Sequence, residues 1–428
     1  MQISDFQKDV FMELKSNEEK ITKALLVSVD TGEYDAEASL DELFELVKSA
    51  GADPVASVTQ NLQKPETGTF VGTGKLQEIA EICEQQEIDL LVFDSELSPT
   101  QIKNIEAATD VRVIDRTTLI LDIFAQRARS KEGKLQVELA QLKYMLPRLT
   151  GKGIAMSRLG GGIGTRGPGE TKLETDRRHI RRRMETLKDE LAEVEKHRSM
   201  LRKRREKDRV ITCAIVGYTN AGKSTLMNCL TNAGVLAQDK LFATLDPTSR
   251  ALKLPSGVTV MLIDTVGLVR RLPHHLVEAF RSTLEEAAQS DIILNVCDAS
   301  NEEARTHMKV TTDLLESLGC EDTPIITVLN KCDLIDNSTL AQDFRACIKI
   351  SAKNGTGIDD LLAAIDKNLP VRVKRVKLLI PFSNAGLTNE IRTKGTLISE
   401  DFIAEGVMLE AIVDEALFAK VREYQLYN

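Results

Sequence analysis

The sequence VITCAIVGYTNAGKS occupies residues 210–224 and decides the fold. Its first part, Val210–Val216, is a short apolar run rich in β-branched residues, which is typical of a buried strand. A loop that matches the pattern G-x-x-x-x-G-K-S follows directly, and an apolar helix start comes after it. The loop consists of Gly217, Tyr218, Thr219, Asn220, Ala221, Gly222, Lys223 and Ser224. This order of strand, loop and helix predicts a phosphate-binding loop in a doubly wound, mostly parallel α/β sheet.

The residue types in this loop suit the binding of a nucleoside triphosphate. Glycine lets the loop wrap so that backbone N–H groups and the helix N-terminus face the phosphates. Lys223 is expected to bridge the β- and γ-phosphates and to act in catalysis, and Ser224 is expected to ligate Mg²⁺. The predicted cofactor is therefore Mg²⁺.

Two further motifs follow predicted buried strands. After Val258–Ile263 comes Asp264-Thr265-Val266-Gly267, in which the Asp264 carboxylate can reach Mg²⁺ through water and the Gly267 N–H can contact the γ-phosphate during catalysis. After Ile325–Leu329 comes Asn330-Lys331-Cys332-Asp333. The Asp333 carboxylate can accept two hydrogen bonds from guanine, which adenine cannot offer. The motifs therefore predict a GTP site.

Two loops are expected to complete this site. Ser351-Ala352-Lys353 follows an apolar run and is expected to close the base pocket through backbone and alkyl contacts. The loop Phe242-Ala243-Thr244-Leu245-Asp246 offers a threonine that can complete the Mg²⁺ shell only while the γ-phosphate is present. We expect Thr244, rather than Thr248, to be this switch and to act in catalysis.

Leu268 occupies the position where Ras-type GTPases carry the glutamine that orients the attacking water. Leucine neither donates nor accepts a hydrogen bond. We therefore expect slow intrinsic hydrolysis that a partner or a bound ion accelerates. Asn220 could ligate a monovalent cation such as K⁺ or could simply stabilise the loop, and the sequence leaves both open.

The chain of 428 residues is predicted to form four regions. Alternating strand and helix patterns predict a small α/β domain of the nucleotide-binding type at residues 1–122. Heptad-spaced apolar residues predict an antiparallel coiled-coil hairpin at 123–209, with a glycine-rich loop at 150–170 and with Pro147 kinking or ending its first helix. The GTPase domain is predicted at 210–372 and a small α/β domain at 373–428.

Charge is spread unevenly over these regions. The net charge of −9 argues at first against a polyanionic partner. However, residues 127–209 hold 24 Lys/Arg and 12 Asp/Glu, a net charge of +12, so the remaining residues carry −9 − 12 = −21. The hairpin is therefore the part of the chain expected to bind RNA.

The predicted hairpin tip is rich in glycine, with 8 of the chain's 25 glycines between residues 151 and 169. Bare glycine backbone can approach a polyanion closely. Alternatively, the glycine-rich segment is a plain linker, and the charged residues beside it form a solvated face that binds no RNA. The arginines expected to contact RNA are Arg158, Arg166, Arg177, Arg178, Arg181 and Arg182.

Composition narrows the class of protein. Apolar residues make up 42% and charged residues 28%, which is globular, and no apolar stretch is long enough to span a membrane. The seven cysteines form no C-x-x-C pair, which indicates reduced thiols. We expect a cytoplasmic monomer, with loose membrane association left open.

The motifs, together with FATLDPT at 242–248 and GGIGTRGPGETKLETDRR at 161–178, resemble the HflX family of ribosome-associated GTPases. The resemblance covers most of the chain and is weakest after residue 372. It implies a factor that binds the 50S subunit and its rRNA in the GTP state and splits stalled or idle 70S ribosomes. It also implies that the ribosome stimulates hydrolysis.

The residues leave three other functions open. One is a GTPase of large-subunit assembly. Another is a nucleotide-driven RNA remodelling factor, in which the N-terminal domain would hold ATP. The third is a binding module whose hydrolysis is vestigial.

Overall fold

The protein is described by a computed structural model that covers residues 21–149, 168–207, 210–231, 241–242, 248–271, 287–320, 322–335, 347–370 and 373–426. The chain folds into two compact units. The first comprises Met1–Leu201, Gln238–Asp246 and Val269–Ser282, and the second comprises Arg202–Ala237, Pro247–Leu268 and Thr283–Asn428. Two short segments from the predicted nucleotide region thus belong with the N-terminal residues. The four regions predicted from the sequence stay predictions.

The first unit contains a parallel four-stranded sheet with strand order β2-β1-β3-β4. Strands and helices alternate along the chain: β1 Lys23–Asp30, α1 Ala36–Ala50, β2 Asp53–Asn61, α2 Thr73–Gln86, β3 Leu90–Phe93, α3 Pro99–Thr109, β4 Arg112–Asp115 and α4 Arg116–Arg127. The residues of β1 between its two ends and all of β3 are buried, as in strands that helices cover on both faces. The predicted α/β fold of this part of the chain is confirmed.

Two helices, α5 (Lys131–Met145) and α6 (Pro168–Lys207), pack as a hairpin. Pro147 lies in the 3₁₀ turn that follows α5, because its ring cannot continue an α-helix. The 40 residues of α6 make a rod about 60 Å long. The predicted apolar seam is confirmed, and it contains Leu135, Leu139, Leu142, Leu146, Leu149, Ile180, Met184, Leu187 and Leu191.

Ion pairs beside this seam show that the two helices are antiparallel. Arg183 donates two parallel hydrogen bonds to the Glu138 carboxylate, at 2.7 and 2.8 Å. Arg198, further along α6, donates to Glu132, which lies earlier in α5, at 3.1 Å. Two planar, bidentate groups hold each other in one orientation, so the first pair helps to fix the register of the hairpin.

The second unit contains a six-stranded sheet with strand order β10-β9-β8-β5-β7-β6. Its described elements are β5 Ile211–Gly217, α7 Lys223–Thr231, β6 Thr248–Lys253, β7 Thr259–Asp264, β8 Ile292–Asp298, α8 Ala304–Ser317, β9 Ile325–Asn330, β10 Ile348–Lys349 and α9 Ile358–Lys367. All neighbours pair in parallel except β6, which runs antiparallel to β7 at the edge. The expected mostly parallel sheet is confirmed.

A three-stranded antiparallel sheet with order β11-β13-β12 follows. Its elements are β11 Val373–Ile380, α10 Ala385–Lys394, β12 Thr396–Ile403, β13 Gly406–Asp414 and α11 Glu415–Val421. The two helices and one face of the sheet enclose a small apolar core. Gly257 and Ile412 are in contact, since a methyl group on Gly257 would lie 2.7 Å from Ile412 Cδ1.

The seven cysteines carry free thiols, and four of the seven are buried. Burial raises the pKa of Cys83 to about 11 and the pKa of Cys213 and Cys297 to about 12. Burial also raises the pKa of the other four thiols. In the part of the chain that the structure describes, no helix has the length and apolarity needed to cross a membrane.

Candidate functional site

The predicted motifs meet at one edge of the six-stranded sheet. β5, β7 and β9 are parallel and end at Gly217, Asp264 and Asn330. The carboxyl ends of parallel strands share an edge, and ligands of open α/β sheets bind there. The fold therefore brings together three motifs that are spread over more than a hundred residues of the chain.

The phosphate-binding loop has the backbone that its glycines predict. Gly222 has φ +87°, and a methyl group there would lie 2.2 Å from Asn330 Nδ2, so both the conformation and the space require glycine. Asn220 is exposed and also left-handed, with φ +59°. Thr219 Oγ1 is buried and has no hydrogen-bond partner among the described residues. The loop thus keeps a polar atom available for a ligand.

Lys223 is buried under this loop. Its Nζ donates to the carbonyl oxygens of Gly217 at 3.0 Å and Tyr218 at 2.7 Å. Burial lowers the pKa of Lys223 to about 8, and the nearby Asp264 carboxylate opposes part of that shift. An ammonium group whose hydrogen bonds are to neutral carbonyls in a buried site will bind a phosphate anion more strongly than it would in water.

Ser224 and Asp264 form the pair of oxygen atoms expected at a magnesium site. Ser224 Oγ donates to Asp264 Oδ2 at 2.9 Å, and Asp264 is fully buried at the end of β7. Thr265 Oγ1 donates to the Ile215 carbonyl at 2.7 Å and ties the end of β7 to β5. Hydroxyl and carboxylate oxygens are the ligands that Mg²⁺ prefers, so these residues fit the ion.

Gly267 and Leu268 lie directly against the phosphate-binding loop. A methyl group on Gly267 would be 2.7 Å from Thr219 Cγ2 and 3.1 Å from Lys223 Nζ. Leu268 N–H donates to the Gly217 carbonyl at 3.2 Å, and Thr219 N–H donates to the Leu268 carbonyl at 2.8 Å. The Leu268 side chain is buried in an apolar cluster with Tyr218. Leu268 is therefore a core residue and cannot position water.

The base-binding loops are joined to the phosphate-binding loop by Asn330. Its Nδ2 donates to the Ala221 carbonyl at 2.9 Å, and its Oδ1 accepts from the Ala352 N–H at 2.9 Å. Lys331 is left-handed, with φ +62°, and its Nζ lies 2.7 Å from Asp298 Oδ2. Asp333 is exposed. Its carboxylate is thus accessible to a base.

The sequence did not predict two parts of this arrangement. Asp298 was missed, although it ends β8, which is a clear apolar run in the sequence. The bridging role of Asn330 was also missed, since its two partners are remote in the chain.

Other predicted residues are placed as follows. Thr248, the alternative switch threonine, begins β6 opposite Asp264. Phe242 packs edge-on against Phe124, with ring centroids 4.6 Å apart. Cys332, Ser351 and Lys353 lie in the base loops. The predicted residues that fall outside the described part of the chain are Ala243, Thr244, Leu245, Asp246, Arg158 and Arg166.

The lowered pKa of Lys223 predicts proton uptake on nucleotide binding. Phosphate favours the ammonium form and raises the pKa of Lys223 from about 8. Affinity should be constant well below pH 8 and should fall as pH rises through 8. At pH 8, about half a proton should be taken up per GDP bound, and almost none at pH 6.5. Calorimetry in two buffers of different ionisation enthalpy measures this uptake, and an absence of uptake at pH 8 would contradict the prediction.

Comparison with known proteins is consistent with this geometry. A family described as "GTP-binding GTPase N-terminal" matches residues 37–125, and one described as "GTP-binding GTPase Middle Region" matches residues 127–205. A third, described as "50S ribosome-binding GTPase", matches residues 212–331. The matched segments run almost without interruption from α1 to the end of β9.

Curated relatives under the name "GTPase HflX" match nearly the whole chain. The protein from Lacrimispora saccharolytica is 50% identical over 415 residues, which are 96% of this chain and 97% of that protein. The protein from Caldanaerobacter subterraneus subsp. tengcongensis is 49% identical over 97% of this chain and 96% of its own length. The Escherichia coli protein is 44% identical over 80% of this chain and 82% of its own length. These matches confirm the resemblance seen in the motifs, and the chain belongs to the HflX family of GTPases.

Proposed function

We propose that this GTPase binds the large ribosomal subunit and its rRNA in the GTP state and dissociates stalled or idle 70S ribosomes into subunits. The observation that carries the proposal is a stripe of exposed arginines on α6, in a chain that is otherwise acidic. The match of residues 212–331 to a family described as a 50S ribosome-binding GTPase supports the same partner.

The basic stripe consists of Arg177, Arg178, Arg181 and Arg182. Spacings of four residues place Arg177 beside Arg181 and Arg178 beside Arg182 on one side of the helix. Arg178, Arg181 and Arg182 are exposed and Arg177 is half-buried. Arg183, in contrast, is engaged by Glu138 within the hairpin. The stripe therefore presents charge to a polyanion such as the rRNA backbone. Arg158 and Arg166 are also proposed to contact rRNA.

For hydrolysis, we propose roles that follow from the positions of the site residues. The Lys223 ammonium would leave the loop carbonyls and bind the β- and γ-phosphates, and the Gly267 N–H would donate to the γ-phosphate. Ser224 and Thr244 would hold Mg²⁺ directly, and Asp264 would hold it through water. The ion would neutralise charge on the phosphate oxygens. Because Leu268 is buried in the core, the attacking water must be oriented from outside this segment. We propose that the ribosome supplies that contribution.

The Asp333 carboxylate is proposed to select guanine, which predicts a change of specificity in Asp333→Asn. An asparagine amide can donate to the 2-oxo group of xanthine and accept from its N1–H. GTP affinity should fall by about a hundredfold or more, and XTP affinity should rise. Equilibrium binding of the two nucleotides measures this. A variant that loses affinity for GTP without gaining affinity for XTP would contradict the contact assigned to Asp333.

Removal of two arginines from the basic stripe should impair ribosome splitting and leave nucleotide binding unchanged. The Arg178→Ala/Arg182→Ala variant is mixed with 70S particles and a non-hydrolysable GTP analogue, and the products are separated on a sucrose gradient. We expect it to split about one fifth as many 70S particles as the unaltered protein does. The control is Arg250→Ala/Lys309→Ala, which removes two exposed charges from the second unit. Intact protein that leaves all 70S particles unsplit would refute the proposal. Precursor particles on depletion of the protein would instead support the assembly role.

Asn220 is proposed to ligate K⁺. The positive charge of the ion would stabilise the phosphate oxygens during hydrolysis and would compensate in part for the absence of a water-orienting side chain at Leu268. Replacing K⁺ by Na⁺ should then lower the single-turnover rate by about tenfold. The matched control is Asn220→Gly, because glycine accepts the left-handed backbone at this position without strain. This variant should be slow in both salts. Equal rates of the intact protein in K⁺ and Na⁺ would remove the cation from the mechanism.

A further inference from the structure

A histidine on α8 stacks on the one aromatic residue of the phosphate-binding loop. The rings of His307 and Tyr218 lie with their centroids 3.8 Å apart and their planes 9° apart. Both residues belong to the second unit and are buried, with 8% and 5% exposure. Parallel rings in van der Waals contact meet over their faces, so neither ring can tilt without losing those contacts. His307 therefore fixes the plane of the Tyr218 ring.

The backbone around Tyr218 is bonded to the groups expected to act on the phosphates. The Tyr218 carbonyl accepts a hydrogen bond from Lys223 Nζ at 2.7 Å. On either side of Tyr218, the Gly217 carbonyl accepts from the Leu268 N–H at 3.2 Å, and the Thr219 N–H donates to the Leu268 carbonyl at 2.8 Å. A displacement of Tyr218 would carry these partners with it. The position of its ring thus helps to determine where the lysine and the Leu268 segment lie.

Parts of the phosphate-binding loop have no side chain that could anchor them. Gly217 and Gly222 carry none, and the side chain of Asn220 is exposed. Glycine restrains the backbone little, and ordering it costs more conformational entropy than ordering other residues does. The Tyr218 ring, buried one residue after Gly217, therefore anchors the loop at the point where it leaves β5.

The helix that carries His307 is itself held against the sheet. Ala304, in its first turn, is buried, and its carbonyl accepts from Cys297 Sγ at 3.2 Å. The Ala299 N–H, before the helix, donates to the Asn330 carbonyl at 2.9 Å. These bonds join the start of α8 to the ends of β8 and β9. His307 therefore contacts Tyr218 from an element that the sheet keeps in place.

We propose that His307 is a positioning residue for GTP hydrolysis, which acts by stacking on Tyr218. With the stack in place, Lys223 and the Gly267–Leu268 backbone lie close to the positions that they need around the phosphates. Without the stack, the nucleotide must order the loop as it binds, which lowers the affinity and leaves the phosphate donors less well aligned. This inference rests on the roles proposed above for Lys223 and Gly267 and does not involve the ribosome.

The test is the rate of a single turnover at saturating GTP, measured without ribosomes. His307→Ala removes the ring, and we expect a rate about tenfold lower and an affinity for GDP about fivefold lower. His307→Asn keeps a polar side chain without a ring and should behave like His307→Ala. His307→Phe restores a flat ring and should bring the rate to within about threefold of that of the unaltered protein.

A double-mutant cycle locates the effect at Tyr218. Tyr218→Leu also removes the stack, so adding His307→Ala to that variant should lower its rate by less than about twofold. If the two substitutions instead slow hydrolysis independently, so that their effects multiply, His307 acts through other contacts and the proposal is wrong.

A matched control separates positioning from a loss of stability. Leu315 lies about two turns after His307 on α8 and is buried in the same apolar cluster as Tyr218. Leu315→Ala leaves a cavity, so it should lower the melting temperature at least as much as His307→Ala does. Its hydrolysis rate and GDP affinity should stay within about twofold of those of the unaltered protein.

Equal slowing by Leu315→Ala, or a full rate in His307→Asn, would overturn the proposal. Lys223→Ala tests the role of the lysine separately, and ribosome splitting on the gradient is a further readout. A failure of the proposed function can therefore be told apart from a failure of this inference.

Discussion

The nucleotide site depends on one buried side chain, the carboxamide of Asn330. Its amide nitrogen and its oxygen are both bonded to backbone, one to the phosphate-binding loop and the other to the loop that carries Ala352. A buried amide with both ends satisfied fixes the separation of its partners, and replacing it would leave buried backbone groups unpaired. It also occupies the space beside Gly222, which explains why that position must be glycine. The end of β9 thus fixes the loop that starts at the end of β5.

Within that frame, several polar groups of the loop are bonded to neighbouring residues. Lys223 donates hydrogen bonds to two loop carbonyls, and Ser224 donates to Asp264. The backbone of Leu268 bonds to the loop on both sides of Tyr218. A nucleotide must replace these internal contacts with contacts to its phosphates. The free energy of nucleotide binding is therefore a difference between two bonded states of the loop.

Most of the fold could be predicted from the sequence, and the reasons are local. Buried parallel strands are continuous apolar runs, and each motif follows one of them, so β5, β7 and β9 and the residues at their ends were predicted correctly. β6 and β12 were missed because they lie at sheet edges and their exposed residues give no apolar run. The ion pair of Arg271 with Asp94 was not predicted, since the two residues lie 177 positions apart and neither stands in a recognisable pattern.

Burial of the cysteine thiols slows their oxidation. Peroxides react with the thiolate and hardly at all with the protonated thiol, and a pKa of about 12 leaves only about one thiolate in 10⁵ at neutral pH. Cys213 and Cys297 sit in the central strands β5 and β8, and the pKa of Cys332, inside the base motif, is also raised by burial. Sulfenic acid formation at these positions should be slow. The central strands and the base motif should therefore react with peroxide more slowly than exposed thiols of ordinary pKa would.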